Sequence, residues 1–209
     1  SGDNNTAIGS SALEKNKSNN NTAVGSSALA ANTTGDQNTA IGSNSLGNNI
    51  DGYYNTAGGY KSLQENTYGY SNTSYGSYSG HENTIGNANT LLGLDANYYN
   101  QEGSNNTIIG CEAGRGLQAH NKSGCVFIGY QAGYNETADN KLYIDNSNTK
   151  GPLIYGDFYL DMLKINGSLN INNAYTLPDV DGFADYVLST DGPGTVVWGE
   201  DLKGASNLH

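Results

Sequence analysis

The chain has 209 residues, a formal net charge of −11 and a pI near 4.4. That balance excludes nucleic-acid binding, which selects basic faces, and no apolar run is long enough to form a membrane-spanning helix. Hydrophobic residues make up only 35%, with 29 Gly and 3 Pro, too few for one large globular core; yet Ile, Val and aromatics recur at fixed spacing, which disordered chains lack.

The recurring unit is first met as Asn5-Thr6-Ala7-Ile8-Gly9. It returns at Asn21, Asn38 and Asn55, more loosely at Asn72, Asn89 and Asn106, and without its Asn-Thr at Cys125-Val126-Phe127-Ile128-Gly129. First positions step by 16, then 17 five times, then 19 residues. Aligned, the unit is Gly-x-x-Asn-Thr-x-x-Gly-x-x-(Ala/Ser)-(Leu/Gly), so each coil is counted from its leading glycine position: 2, 18, 35, 52, 69, 86, 103 and 122. Gly2-Asp3-Asn4-Asn5 already obeys the unit, so the chain reads as a fragment beginning within an array. A fixed period below twenty residues indicates a solenoid.

Such a period is too short for a helix pair, and glycine every eight or nine residues penalises helix by about 1 kcal/mol each. Two short strands per coil fit, which predicts an all-β solenoid of about eight coils, roughly 38 Å long at ~4.8 Å per coil. Alternation along Asn-Thr-x-x-Gly puts Thr and the fourth residue (Ile8, Val24, Ile41, Gly58, Tyr75, Leu92, Ile109, Ile128) on one face. That fourth column is expected to form the core. The third column (Ala7, Ala23, Ala40, Ala57, Ser74, Leu91, Ile108, Phe127) shares the other face, with Asn, and is also partly apolar. A thin rod has one inside, so the second apolar face calls for further copies of the chain. Stacked Asn and Thr are expected to form side-chain ladders, and Cys111 and Cys125, in different phases of the coil, are expected to be buried free thiols.

The units NTAIGSSAL and NTAVGSSAL resemble the head repeats of trimeric autotransporter adhesins and the repeats of phage-type tail-fibre proteins. The resemblance covers residues 2–145 and implies a homotrimer of parallel β-rolls, extracellular, on a phage-like tail, an injection device or a cell surface. The family unit is shorter than this one.

The array is expected to occupy 1–134, followed by a β-rich connector over 135–172 and a C-terminal β segment over 173–209. Residues 140–145 alternate as a strand, and 151–158 and 163–171 are predicted as further short strands. Asn166-Gly167 is a hairpin signal, and Asp191-Gly192-Pro193-Gly194 a tight turn between the last two strands. The connector and the TLP, VLSTDG and VVW segments also resemble tail-fibre sequence. The single Trp198 is expected to pack between chains.

No catalytic constellation is present: His81, His120 and His209 lie at neither triad nor metal-ligand spacing, and the acidic residues sit in variable turns. No cofactor or metal is expected, and no Asp column supports repeat calcium sites. A Thr rank, from Thr6 to Thr107, suits ice binding only if it is flat and exposed. Tyrosine is the informative departure. Coils 4–6 carry Tyr53, Tyr54, Tyr60, Tyr68, Tyr70, Tyr75, Tyr78, Tyr98 and Tyr99, and coils 1–3 none. Exposed aromatics among Asn, Ser and Glu suit recognition of a cell-surface glycan or protein. The reading is a non-enzymatic attachment fibre; the alternatives are a structural spacer and a glycan-cleaving tailspike.

Overall fold

The computed structural model describes residues 2–171 and the backbone of the strands at 175–177, 186–190 and 196–200. Two compact units divide the chain, Ser1–Leu163 and Lys164–His209. The described residues contain no helix, and one sheet of eleven strands runs in chain order from β1 to β11. Eight strands are one per coil: β1 (Thr6–Ile8), β2 (Thr22–Val24), β3 (Thr39–Ile41), β4 (Thr56–Gly58), β5 (Thr73–Tyr75), β6 (Thr90–Leu92), β7 (Thr107–Ile109) and β8 (Val126–Ile128). Each pairs in parallel with the next in strict register, third residue on third residue and Thr on Thr up to Thr107, which meets Val126. The array is therefore a β-solenoid of about eight coils.

Each coil holds one three-residue strand, not two. The Ala/Ser-Leu stretch is a turn, because Ser27 and Leu29, and their equivalents Asn44 and Leu46, adopt left-handed backbone (φ 56°, 50°, 55° and 49°). That conformation cannot continue a strand. The coils still bond to one another there, with Leu29 N donating to Ser45 O and Leu46 N to Ser62 O. At the strand's end glycine is required: Gly42 has φ +136°, and a Cβ on it would lie 2.4 Å from Gly59 O.

The face assignment is reversed from expectation. The third column points inward, with Ala23, Ala40, Ser74, Ile108 and Phe127 fully buried. The fourth points out: Ile8 is 60% exposed, Ile41 46% and Leu92 50%. Coil width is the reason. In coils 2–4 the inward Ala shares the interior with a buried Leu (Leu29, Leu46, Leu63), and no volume remains for Ile. Where the inward residue grows to Leu91, Ile108 and Phe127, the leucine column shrinks to Asn97, Gly114 and Gly133. A Cβ on Gly133 would lie 2.7 Å from the Phe127 ring. Coil 5, with Ser74 and Gly80, separates the two apolar clusters, and its interior is bridged by hydroxyls: Ser62 Oγ lies 3.1 Å from Ser74 Oγ, and Ser74 Oγ 2.8 Å from Ser79 Oγ.

Two columns of asparagine run the length of the interior. In the first, Asn5 to Asn106, each Oδ1 accepts the backbone N–H of the equivalent residue one coil on, at 2.8–3.1 Å, and Asn106 serves Cys125 in the same way. From Asn21 on, each Nδ2 donates to a carbonyl at the following coil's leading position, such as Gly52 O from Asn38 (2.8 Å). The second column is Asn16, Asn32, Asn49, Asn66, Asn83 and Asn100. Through Asn83 its amides bond to each other at 2.6–2.8 Å. The Asn ladder expected from the repeat is thus present and buried; the Thr column lies on the outward face.

Beyond the coils, β9 (Lys141–Ile144) stacks in parallel on β8 and puts Tyr143 in line with Phe127. Its partner β10 (Ile154–Asp157) returns antiparallel, with Lys141 and Asp157 forming an ion pair at 2.5 Å, and β11 (Met162–Ile165) follows. In the second unit β12 (Leu169–Ile171) pairs antiparallel with β13 (Tyr175–Leu177), and β14 (Tyr186–Thr190) with β15 (Val196–Glu200). Asn166-Gly167 therefore links strands of different sheets and closes no hairpin. The 191–194 turn, and the side chain of Trp198 with its expected place between chains, lie outside the described residues. Cys111 and Cys125 are both free; Cys125 is buried and Cys111 half-buried.

The volume swap predicts a strong coupling. Gly133→Leu alone should cost about 1–3 kcal/mol by overpacking, and Phe127→Ala alone about 3–5 kcal/mol. The double variant recreates the Ala/Leu pair of coils 2–4 and should recover at least about 1 kcal/mol of the summed loss, as measured by urea denaturation.

Candidate functional site

The nine tyrosines singled out by sequence fall into three places. Tyr53, Tyr54, Tyr68 and Tyr70 flank the leading glycines Gly52 and Gly69 at one corner of coils 4 and 5, and are 41%, 55%, 56% and 40% exposed. Tyr60, Tyr78, Tyr98 and Tyr99 lie in the turns that follow the strands. Tyr75 alone is on the outward sheet face, its ring over Gly58, where a Cβ would lie 2.3 Å from it; the glycine of coil 4 makes room for the tyrosine of coil 5.

At the first corner the rings of Tyr53 and Tyr70 stack, with centroids 5.0 Å apart and planes 1° apart, while Tyr54 meets Tyr53 edge-on at 5.2 Å. The stack displaces a hydrogen-bond relay. The residue after the leading position is Asp3, Asn19, Asp36, Tyr53, Tyr70, Asn87, Ser104, Ser123 and Asp139. Except at the two tyrosines, its side-chain oxygen accepts the backbone N–H of its counterpart one coil earlier, as in Asn19 N to Asp36 Oδ1 (2.6 Å), Tyr70 N to Asn87 Oδ1 (2.8 Å) and Asn87 N to Ser104 Oγ (2.9 Å). Tyr53 and Tyr70 carry no oxygen near the backbone, so the relay breaks where the aromatics begin.

The second cluster is a column of planar groups. His81 stacks on Tyr98 (4.8 Å, 10°), and the Arg115 guanidinium lies 5.5 Å from the Tyr98 ring, 5.1 Å from Tyr99 and 5.9 Å from Tyr134. Arg115 is held by Asp95 at 3.2 Å and by the Tyr134 hydroxyl at 3.0 Å, and Lys61 sits over Tyr60 and Tyr78. Burial lowers the His81 pKa, against the pull of Glu65 and Glu82, and burial raises that of Tyr98. Its charges are paired internally, which makes this column a brace across coils 4–8.

A polar cluster inside coils 6–8 escaped the sequence reading. Lys122, at a leading position that is glycine in most coils, is wholly buried; its Nζ bonds Gly114 O and lies 3.0 Å from His120 Nε2. Asn97 Oδ1, Asn100 Oδ1 and His120 Nδ1 are buried without a protein partner. Burial brings the Lys122 pKa down to about 7, with Cys125 and Glu136 pulling the other way. Burial and then Lys122 bring His120 down to about 4. The signal in sequence was the replacement of glycine by lysine within the one coil step of 19 residues.

Among the described residues no three His, Cys, Asp or Glu side chains gather as a metal site, and no helix is long and apolar enough to cross a membrane. Compared with known proteins, the chain matches no family model, no curated protein and no solved structure.

The buried lysine sets a pH dependence. Its folded pKa lies below the unfolded value of 10.5, so its burial penalty is complete below pH 7 and fades as pH rises toward 10.5. For His120 the same rise runs from about pH 4 to 6.5. Urea midpoints should climb across both windows. Lys122→Met should flatten the upper one and be more stable than the parent at pH 6; an unchanged upper window would contradict the assignment.

Proposed function

We propose that the chain is a fibrous attachment protein: a homotrimeric β-roll that holds recognition surfaces against a cell-surface receptor. The observation that carries the reading is the Tyr53–Tyr70 corner, where aromatics interrupt a relay that a pure spacer would have kept. A spacer gains nothing from four exposed tyrosines, whereas exposed aromatics are the side chains that binding surfaces favour. The resemblance of the NTAIG units and of the segments after the array to tail-fibre and adhesin sequence supports the same reading, and with it an extracellular location.

The outward sheet face supports assembly with further copies, and the resemblance supplies the number three. Ile8, Val24, Ile41, Leu92, Ile109 and Ile128 line it beside the Thr column, and a continuous apolar strip of this kind needs a partner; in this reading further copies of the chain cover it. The face also meets the exposure condition for ice binding, but the apolar column beside the Thr rank and the Tyr75 ring across it favour protein contact. Three copies give three equivalent corners on one stiff rod, so weak sites gain avidity. The trimer would carry −33, three times −11.

Two measurements test this reading. Sedimentation should return 66 kDa, three times the 22.0 kDa chain, and Ile41→Asp/Leu92→Asp should release monomer. A parent that sediments as a monomer would contradict the trimer and leave the Thr face open to water. Tyr53→Asn/Tyr70→Asn should restore the relay, gaining about 0.5–1.5 kcal/mol per hydrogen bond and losing a comparable amount of ring stacking, so Tm should move by no more than about 4 °C. The same variant should lose attachment to a panel of bacterial cells that the parent binds; undiminished attachment would remove the corner from function.

A further inference from the structure

The ligand class of the tyrosine corner follows from the charges around it. Coils 3–6, residues 35–102, contain six carboxylates (Asp36, Asp51, Glu65, Glu82, Asp95, Glu102) and a single cation, Lys61. That lysine is engaged with Tyr60 and Tyr78 at the other aromatic cluster. Two of the carboxylates belong to the corner itself. Asp36 occupies the coil position of Tyr53 one coil earlier, and Asp51 that of Tyr68, so each lies about 4.8 Å along the rod from its tyrosine. Their Oδ1 atoms accept from the preceding coils, Asp36 from Asn19 N and Asp51 from Thr34 Oγ1. On the opposite side of the stack stands the Asn87 side chain, bonded to Tyr70 N.

We propose that this corner binds an uncharged saccharide and discriminates against acidic ones. The assignment rests on the attachment reading and narrows it. The two tyrosines stack with parallel rings and still leave 41% and 40% of their surface open to solvent, an exposed aromatic surface against which the C–H groups of a sugar pack. Sugar hydroxyls are donors, and the acceptors that suit them, two carboxylates and an amide, stand along the same corner. A sialic acid or uronate would bring its own carboxylate against Asp36 and Asp51 with no arginine or lysine at the corner to receive it. An anionic ligand would instead need a basic fork, and the one arginine of the chain, Arg115, is already held by Asp95 and Tyr134.

The test uses the protein in its native assembly on an immobilised panel. The panel holds neutral oligosaccharides of glucose, galactose, mannose and N-acetylhexosamines, each beside a sialylated or uronate counterpart. At least one neutral probe should bind, its affinity falling at least 10-fold in Tyr70→Ala. Its acidic counterpart should bind at least 10-fold more weakly at 20 mM salt, and the gap should narrow at 500 mM as the carboxylates are screened. Acidic probes bound as tightly as neutral ones would overturn the proposal. If no saccharide binds while cells are still held by the parent and released by Tyr53→Asn/Tyr70→Asn, the receptor is a protein: the saccharide assignment falls and attachment stands. If the parent holds neither cells nor saccharides, both fall together.

Discussion

A primary amide buried between two coils can accept from one and donate to the other at once, and the stacking of this protein is organised around that capacity. Asn38 receives Asn55 N on its oxygen and donates through Nδ2 to Gly52 O. Asn49, from the second column, donates to the same carbonyl. From Asn21 and Asn32 on, these amides are shut away from water, where an unmade bond costs about 1–3 kcal/mol, so a coil that slips in register loses several at once. Register here is set by satisfied amides more than by apolar mass, which in coils 2–4 is one leucine and one or two alanines per coil.

That constraint accounts for the position of the isoleucines. With two asparagine columns inside, a coil of 17 residues has a narrow interior, and the strand's bulkiest side chain is left on the outside. The left-handed turns serve the same end. Leu29, Leu46 and Leu63 adopt a backbone that leucine rarely takes, and their full burial offsets the strain. Coils 6–8 solve the volume problem differently, with a large inward residue and a glycine or asparagine in the turn. The change of pattern falls at coil 5, within the tyrosine-rich stretch.

The period, the all-β solenoid and the ladder of the repeat's own asparagine were legible because each is a fixed column of identical residues. The faces were misread because Ile was weighed by hydrophobicity alone, while Asn and the third residue share one side of the strand and the buried amides decide which side is inward. Two further signals stood in the alignment unused: the constant column Asn16, Asn32, Asn49, Asn66, Asn83 and Asn100, and the reciprocal change from Ala/Leu to Phe/Gly between coils. The second strand was expected because the short period and glycine every eight or nine residues fit two short strands, and nothing local reveals that Leu29 turns left-handed. The tyrosine-rich stretch could be named from composition, but its division into an open corner, a braced column and a lone face residue depends on how coils stack. Lys122 and His120 are near neighbours in the chain, but their burial together depends on how the longer 19-residue step folds back into the array.

Corner and interior are separable in this fold, because a coil's corners tolerate what its interior does not. Replacing Asn by Tyr at a corner costs one exposed relay bond, while the same change inside would leave several buried groups unpaired. The central claim is that the buried amides hold the coils together, and side-chain amide hydrogen exchange measured by NMR tests it most directly. The NH2 groups of Asn38, Asn55, Asn72 and Asn89 should exchange only with global unfolding, at least about 10³-fold slower than those of the exposed Asn48 and Asn135. Comparable rates for the two sets would contradict the account.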